Sequence, residues 1–215
     1  MEGIAPPPLH LLHHDALGAI EAAARAQASA EGAHLPLVWS RARDPLFPSF
    51  NPYAATRLVR HVLEEALDEA LRAAGALRGS VQLVDSDEGV LRIVAQRGFE
   101  TPFLEHFAAV KPDQGPSGAT WKGERRMQVE DVTDSPKFDA RTVEVMLDAG
   151  ARSVIASPLL SREGALLGVL SIHSERPRTL PRRDAERLDR IVRRVSERID
   201  RLMTSFLAVP DPYKH

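Results

Sequence analysis

The 215-residue sequence contains no cysteine. That absence excludes a disulfide framework, a thiolate metal site, an iron–sulfur cluster, a cysteine nucleophile and any covalently thioether-linked chromophore. Aromatic residues are sparse at 5 %, and no apolar run approaches the roughly 18 residues of a membrane span. Residues 1–8 lack the basic and apolar regions of a secretory signal. Charge of one sign is lacking too: 28 Lys and Arg stand against 30 Asp and Glu, a formal net charge of −2. No global basicity points to nucleic acid or an anionic membrane surface. What remains is 43 % hydrophobic and 27 % charged, the balance of a globular protein with a sizeable core. The expectation is a cytoplasmic protein with neither a nucleic-acid nor a membrane partner.

Residues 1–52 differ from the rest. They hold seven of the 16 prolines and read as a Pro/Ala-rich arm rather than a domain. His10, His13 and His14 share one helical spacing there, but no carboxylate or cysteine completes a site, so no metal is assigned. From residue 53 to 206 the punctuation is orderly, and 207–215 reads as a tail. Asn51-Pro52 predicts a capped helix running to Ala74, with Val59, Val62, Leu63, Ala66, Leu67, Ala70 and Leu71 on one stripe.

Ser80–Asp85 and Val90–Gln96 predict a hairpin, with Gly89 at a turn position that needs positive φ. Thr101-Pro102 predicts a short capped helix. Residues 111–123 read as a glycine- and proline-bearing stretch, and Met127–Val129 as a brief strand. Asp134-Ser135-Pro136 predicts a helix ending at Gly150. Arg152–Leu160 and Ala165–His173 form a second hairpin, and Pro181 opens a helix of about 26 residues, roughly 39 Å long. The order predicts an α+β fold: a central antiparallel sheet, terminal helices on one face, and the irregular middle on the other.

At these spacings the residues resemble the GAF domain family. The resemblance rests on Leu83-Val-Asp85, Gly89-Val-Leu-Arg92, Gln96-Arg-Gly-Phe99, Val129-Glu-Asp-Val132, Ala149-Gly-Ala-Arg152, Ser157-Pro-Leu-Leu-Ser-Arg-Glu-Gly164 and Leu167-Gly-Val-Leu-Ser-Ile-His173. It covers about 70 % of the chain. It implies a sheet of about six strands, a pocket beside that sheet, and a sensory module of bacterial regulatory type. Family forms that attach a bilin, and those that reduce free methionine sulfoxide, need cysteines that this chain lacks. Where relatives carry a cysteine-glycine pair, this sequence has Ser117-Gly118.

The resemblance makes the segment from Gly115 to Trp121 a pocket wall. Gly118 would let backbone amides approach a ligand, and Trp121 would supply a stacking face or fill the core. The candidate ligand-binding set is Phe103, Ser117, Gly118, Trp121, Asp131, Phe138, Arg152, Ser157 and His173. The ligand is an unidentified small molecule, and the cofactor is unknown. Several of these choices have alternatives. His173 also reads as a strand-end residue bonded to the backbone, Asp131 as the cap of the next turn, and Trp121, Phe103 and Phe138 as the filling of a collapsed pocket in a ligand-free dimerisation scaffold. Glu124, Glu130 and Asp131 are close in sequence, but proximity alone does not set two carboxylates across a substrate. No catalytic residue is assigned.

In the last helix Leu188, Val192, Val195, Ile199, Leu202 and Phe206 are spaced 4, 3, 4, 3, 4. This period is that of a packed helical seam. It predicts a homodimer helix, with coverage of the chain's own sheet as the alternative. The module is then expected to act through a homodimer or an output protein such as a histidine kinase.

Overall fold

The computed structural model describes residues 52–85, 88–112, 114–123 and 125–207, and among them the side chains of residues 58–203. The arm, its three histidines, the Asn51 cap, the Phe206 side chain and the tail lie outside the described residues.

The first element, α1, spans Pro52–Ala74. All seven stripe residues named above are buried in it. Gly75 ends it at φ 60°. The strand β1 (Arg78–Asp85) then pairs antiparallel with β2 (Val90–Arg97). Gly89 takes φ 63°, and its N–H donates to the Asp85 carbonyl at 2.8 Å. A short helix, α2, spans Thr101–His106. Its cap position is Glu100 rather than the expected Thr101, and no side chain caps it.

Two expectations are corrected in the middle of the chain. The stretch 111–123 is not a loop throughout, because α3 spans Gly115–Gly123. Gly115 turns at φ 59° and Pro116 occupies the first turn, where a missing N–H costs nothing. The helix expected from Asp134 starts later. A 3-10 turn occupies Val132–Asp134, and α4 spans Ala140–Asp148. The Asp139 carboxylate accepts the Thr142 N–H at 2.8 Å, and this cap outcompetes the Asp134-Ser135-Pro136 signal.

Three strands and a helix complete the fold: β3 (Met127–Val129), β4 (Ser153–Leu160), β5 (Leu166–Ser174) and α5 (Arg182–Leu207). Among the described residues the sheet has five strands in the order β2-β1-β5-β4-β3, close to the expected number, and an isolated antiparallel bridge joins Leu91 to Val110 beside β2. Every pairing is antiparallel. The two hairpins therefore join through β1 and β5 into one platform. Pro158 lies beyond the end of β3, where the outer edge of β4 has no strand partner and a missing N–H is tolerated.

Side chains alternate across the platform. Val81, Leu83, Ile155, Leu159, Leu170 and Ile172 face α1 and α5 and make the main core with them. The α5 residues Leu188, Val192, Val195 and Ile199 are buried in that core, and Leu202 packs against it. The seam expected to serve a dimer is thus occupied within the protomer. Ion pairs line the outer side of the two helices, among them Arg198 with Glu65 at 3.3 Å and Arg194 with Glu69. Among the described residues no helix is long and apolar enough to cross a membrane.

Candidate functional site

The opposite side of the platform is built from the same strands, shifted by one residue. Val154, Ala156 and Val169 point to it, but so do polar residues. Ser80 and Gln82 alternate along β1, and Ser171 and His173 along β5. Ser80 pairs directly with Ser171 in the ladder. All four are more than nine-tenths buried: Ser80 is 4 % exposed, Gln82 3 %, Ser171 2 % and His173 6 %. Together they floor a cleft at the centre of the sheet.

Above this floor lie Phe103 and Phe107 around α2, Pro116 and Ser117 of α3, Phe138 in the link before α4, and Met146 of α4. Phe99 and Phe103 stack in parallel, ring centroids 3.7 Å apart. Phe107 tilts against Phe103 at 4.5 Å. The cleft encloses about 330 Å³ of unfilled space including its mouth, yet only about 20 Å³ admits the centre of a water molecule. It is a slot whose walls nearly touch. Among the described residues, no charged side chain lines it.

His173 is the most constrained group in the slot. Phe99 and Phe103 meet its ring edge-on, at 5.1 and 5.7 Å between centroids. Its Nδ1 is buried with no hydrogen-bond partner. The backbone bond expected of a strand-end histidine is not made by that nitrogen. Burial penalises the imidazolium and pushes the pKa down from 6.5 to about 3, so the ring is neutral near pH 7. An orphaned buried nitrogen costs about 1–3 kcal/mol relative to a bonded one. Ser171 is barely better served: its Oγ lies 3.4 Å from Ser117 Oγ, long for a hydroxyl pair.

The structure therefore brings together Phe103, Ser117, Phe138 and His173 of the candidate set. It places the other five elsewhere. Gly118 is buried against the preceding loop. A Cβ there would lie 2.3 Å from the Lys111 carbonyl oxygen, so the glycine permits that close approach. Trp121 packs on the neighbouring cluster of Leu91, Val110, Ala156 and Val169 rather than on the slot. Ser157 has the wrong parity in β4. It faces the helix side, where the Arg126 guanidinium donates to its Oγ at 3.1 Å and also pairs with Asp189.

Asp131 and Arg152 pair with each other on the outside, Nη2 to Oδ2 at 2.9 Å. The Arg152 hydrogen bond, helped by Thr133, holds the Asp131 carboxyl at about 2. Asp131 lines an open groove of about 750 Å³, mouth included, with Gln128, Glu130, Asp134 and Lys137. That groove is larger, but it is wide open to solvent, and charges of both signs line it. Arg78 shares the polar face one ladder step beyond Ser80, but it turns to Glu175 at 2.6 Å and does not line the slot.

Sequence reasoning missed Ser80, Gln82 and Ser171. The signal was present: two polar residues two apart inside an apolar strand, twice, on the strands that become neighbours. A second missed feature ties the roof together. His106 Nε2 lies 2.9 Å from Thr142 Oγ1, whose proton goes to Asp139 Oδ2 at 3.2 Å. With that proton committed, the imidazole is the donor to Thr142. The chain of contacts fastens α2 to the start of α4.

A family model described as GAF domain matches residues 56–200. Among solved structures, the domain of a putative two-component sensor histidine kinase from Sinorhizobium meliloti is similar at 23 % identity and a TM-score of 0.59. It covers 68 % of this chain and 94 % of its own. A GAF domain/HD domain protein from Geobacter sulfurreducens matches at 12 % identity and a TM-score of 0.59, over 72 % of this chain and 99 % of its own. The blue-light absorbing form of the Thermosynechococcus elongatus PixJ GAF-domain matches at 14 % identity and a TM-score of 0.58, over 75 % and 98 %. No curated protein matches the chain. With the family model spanning well over half of its length, the chain belongs to the GAF domain family.

Proposed function

We propose that this protein is a non-catalytic sensory module that binds a small molecule in the slot beneath α2, α3 and α4. It passes the event to its terminal helices. One observation carries the reading: four buried polar side chains at the centre of the sheet face a cleft, and one of them, His173, holds a nitrogen with no partner. A core built only for stability would place apolar residues there, as the same strands do on their other side.

A route to the helices exists in the strands themselves. Ser171 and His173 alternate with Leu170 and Ile172, which pack in the core shared by α1 and α5. A ligand that shifts β5 against β1 changes that packing, and the change carries a signal only if the ligand binds the two arrangements with different affinity. A second copy of the chain or an output protein such as a histidine kinase reads it. Since Leu188, Val192, Val195 and Ile199 are buried at home, such a partner meets the charged outer faces of the helices.

The narrowness of the slot supports a second reading, a ligand-free interaction scaffold. Phe103 and Phe138 then serve as filling, without Trp121, which lies elsewhere. Native mass spectrometry of freshly purified protein separates the two. The sensor reading expects a co-purifying small molecule, or a melting shift with members of a metabolite collection. Protein that carries nothing and responds to nothing supports the scaffold.

A further inference from the structure

The slot restricts the chemistry of what enters it, and this inference rests on the sensor reading above. A charged ligand transferred into a buried site must be paired there, because an uncompensated ion loses several kcal/mol of hydration or more. The floor offers only hydroxyls, one primary amide and one imidazole, and no charged side chain of the described residues joins them. The imidazole remains neutral at physiological pH because burial holds its pKa near 3. Phosphates and carboxylates therefore find no counter-charge.

The same residues favour a flat molecule. Phe103, Phe107 and Phe138 place three aromatic rings along one side of the slot. The Gln82 amide carries a donor and an acceptor side by side, the pair that reads one edge of a heterocycle. His173 adds a nitrogen that has no protein partner. The space now open admits about one water, so a ring must displace a wall. Phe138 is the wall that can give way. It is half-buried, it lies outside regular structure between the 3-10 turn and α4, and on one side it rests on Gly115, where there is no side chain.

We infer that the slot takes an uncharged planar heterocycle with a donor and an acceptor on one edge, the form a free nucleobase presents, held by Gln82 and His173 after Phe138 swings aside. Phosphorylated forms of the same ring are rejected.

Matched pairs test this on the full chain. Adenine, hypoxanthine and cytosine at millimolar concentration are compared with their cyclic monophosphates by thermal melting and calorimetry. At least one free base is expected to raise the melting temperature while its phosphorylated partner at equal concentration does not. Gln82→Leu is expected to weaken that binding about tenfold. The imidazole ¹⁵N shifts of His173 are expected to move on binding. Gln82→Glu, a second variant of nearly the same shape, must weaken it as well, which guards against a folding defect in the leucine variant.

No response to any base, tighter binding of a phosphorylated form, or binding indifferent to both Gln82 variants overturns the inference. A charged molecule found by native mass spectrometry overturns it too, yet leaves the sensor reading standing. Protein inert to every ligand defeats both.

Discussion

The two faces of the central sheet are made by the same strands and have opposite characters. On the helix side, Val81, Leu83, Ile155, Leu159, Leu170 and Ile172 close against α1 and α5 without a polar interruption from β1 or β5. On the roof side, the intervening positions of β1 and β5 are Ser80, Gln82, Ser171 and His173, as deeply buried, with His173 Nδ1 unpartnered and Ser171 Oγ in a long contact of 3.4 Å to Ser117 Oγ. Burial is equal, but among the described residues only the roof face holds a polar atom with no partner, His173 Nδ1. The helix face holds the fold together, and the roof face gives up stability at the positions where a ligand could supply the missing bonds.

The largest loss of stability is expected from the helix side. Leu170→Ala removes a fully buried side chain between β5 and the helices. It should destabilise the protein by about 2–5 kcal/mol in urea unfolding. A loss under about 1 kcal/mol would mean that the two faces do not differ as described.

Acid comes next. Burial holds His173 at about 3 in the folded protein, against 6.5 when unfolded. Between these values the unfolded state binds more protons, so stability rises with pH. It should fall on acidification below about 6.5, at up to about 1.4 kcal/mol per pH unit. Asp131 and Asp139 are held low by their partners and add their losses only below the ordinary carboxylate range. The window from about pH 6.5 to 4.5 therefore isolates the histidine. In His173→Phe the slope across that window should flatten, and an unchanged slope would reassign it.

The roof face should respond in the opposite sense to the core. His173→Phe exchanges an orphaned nitrogen for carbon among Phe99 and Phe103. Stability at pH 7 should stay level or rise by about 1 kcal/mol. The smallest effect belongs to the outer ion pairs. Arg198→Gln loses one half-exposed contact to Glu65. It should leave stability within about 0.5 kcal/mol.

Much of this architecture was legible in the sequence. The α1 stripe, both hairpins with Gly89 at the positive φ its turn needs, the strand at Met127–Val129 and the 26-residue α5 follow from periodicity and turn chemistry. The middle was less legible because its signals compete locally. The helix start expected at Asp134 yields to the Asp139 cap, and the stretch bearing Gly115-Pro116 shows no helical periodicity although α3 forms there.

The slot was half legible. Phe103, Phe138 and His173 were visible as aromatic or titratable groups in the right segments. Ser157 was misplaced by one step of strand parity, and Asp131 and Arg152 satisfy each other outside. Which face a strand residue takes depends on pairing, and the β1–β5 pairing joins residues about 90 apart in the chain. Nothing local to either strand announces that Ser80 will meet Ser171.

If the polar residues of the roof face serve recognition rather than the fold, removing them costs no stability. Denaturant unfolding of the double variant Gln82→Leu/His173→Phe at pH 7 tests it most directly. The midpoint is expected to equal or exceed that of the natural sequence. A loss as large as that of Leu170→Ala would show that these groups hold the sheet together, and the claim would be contradicted.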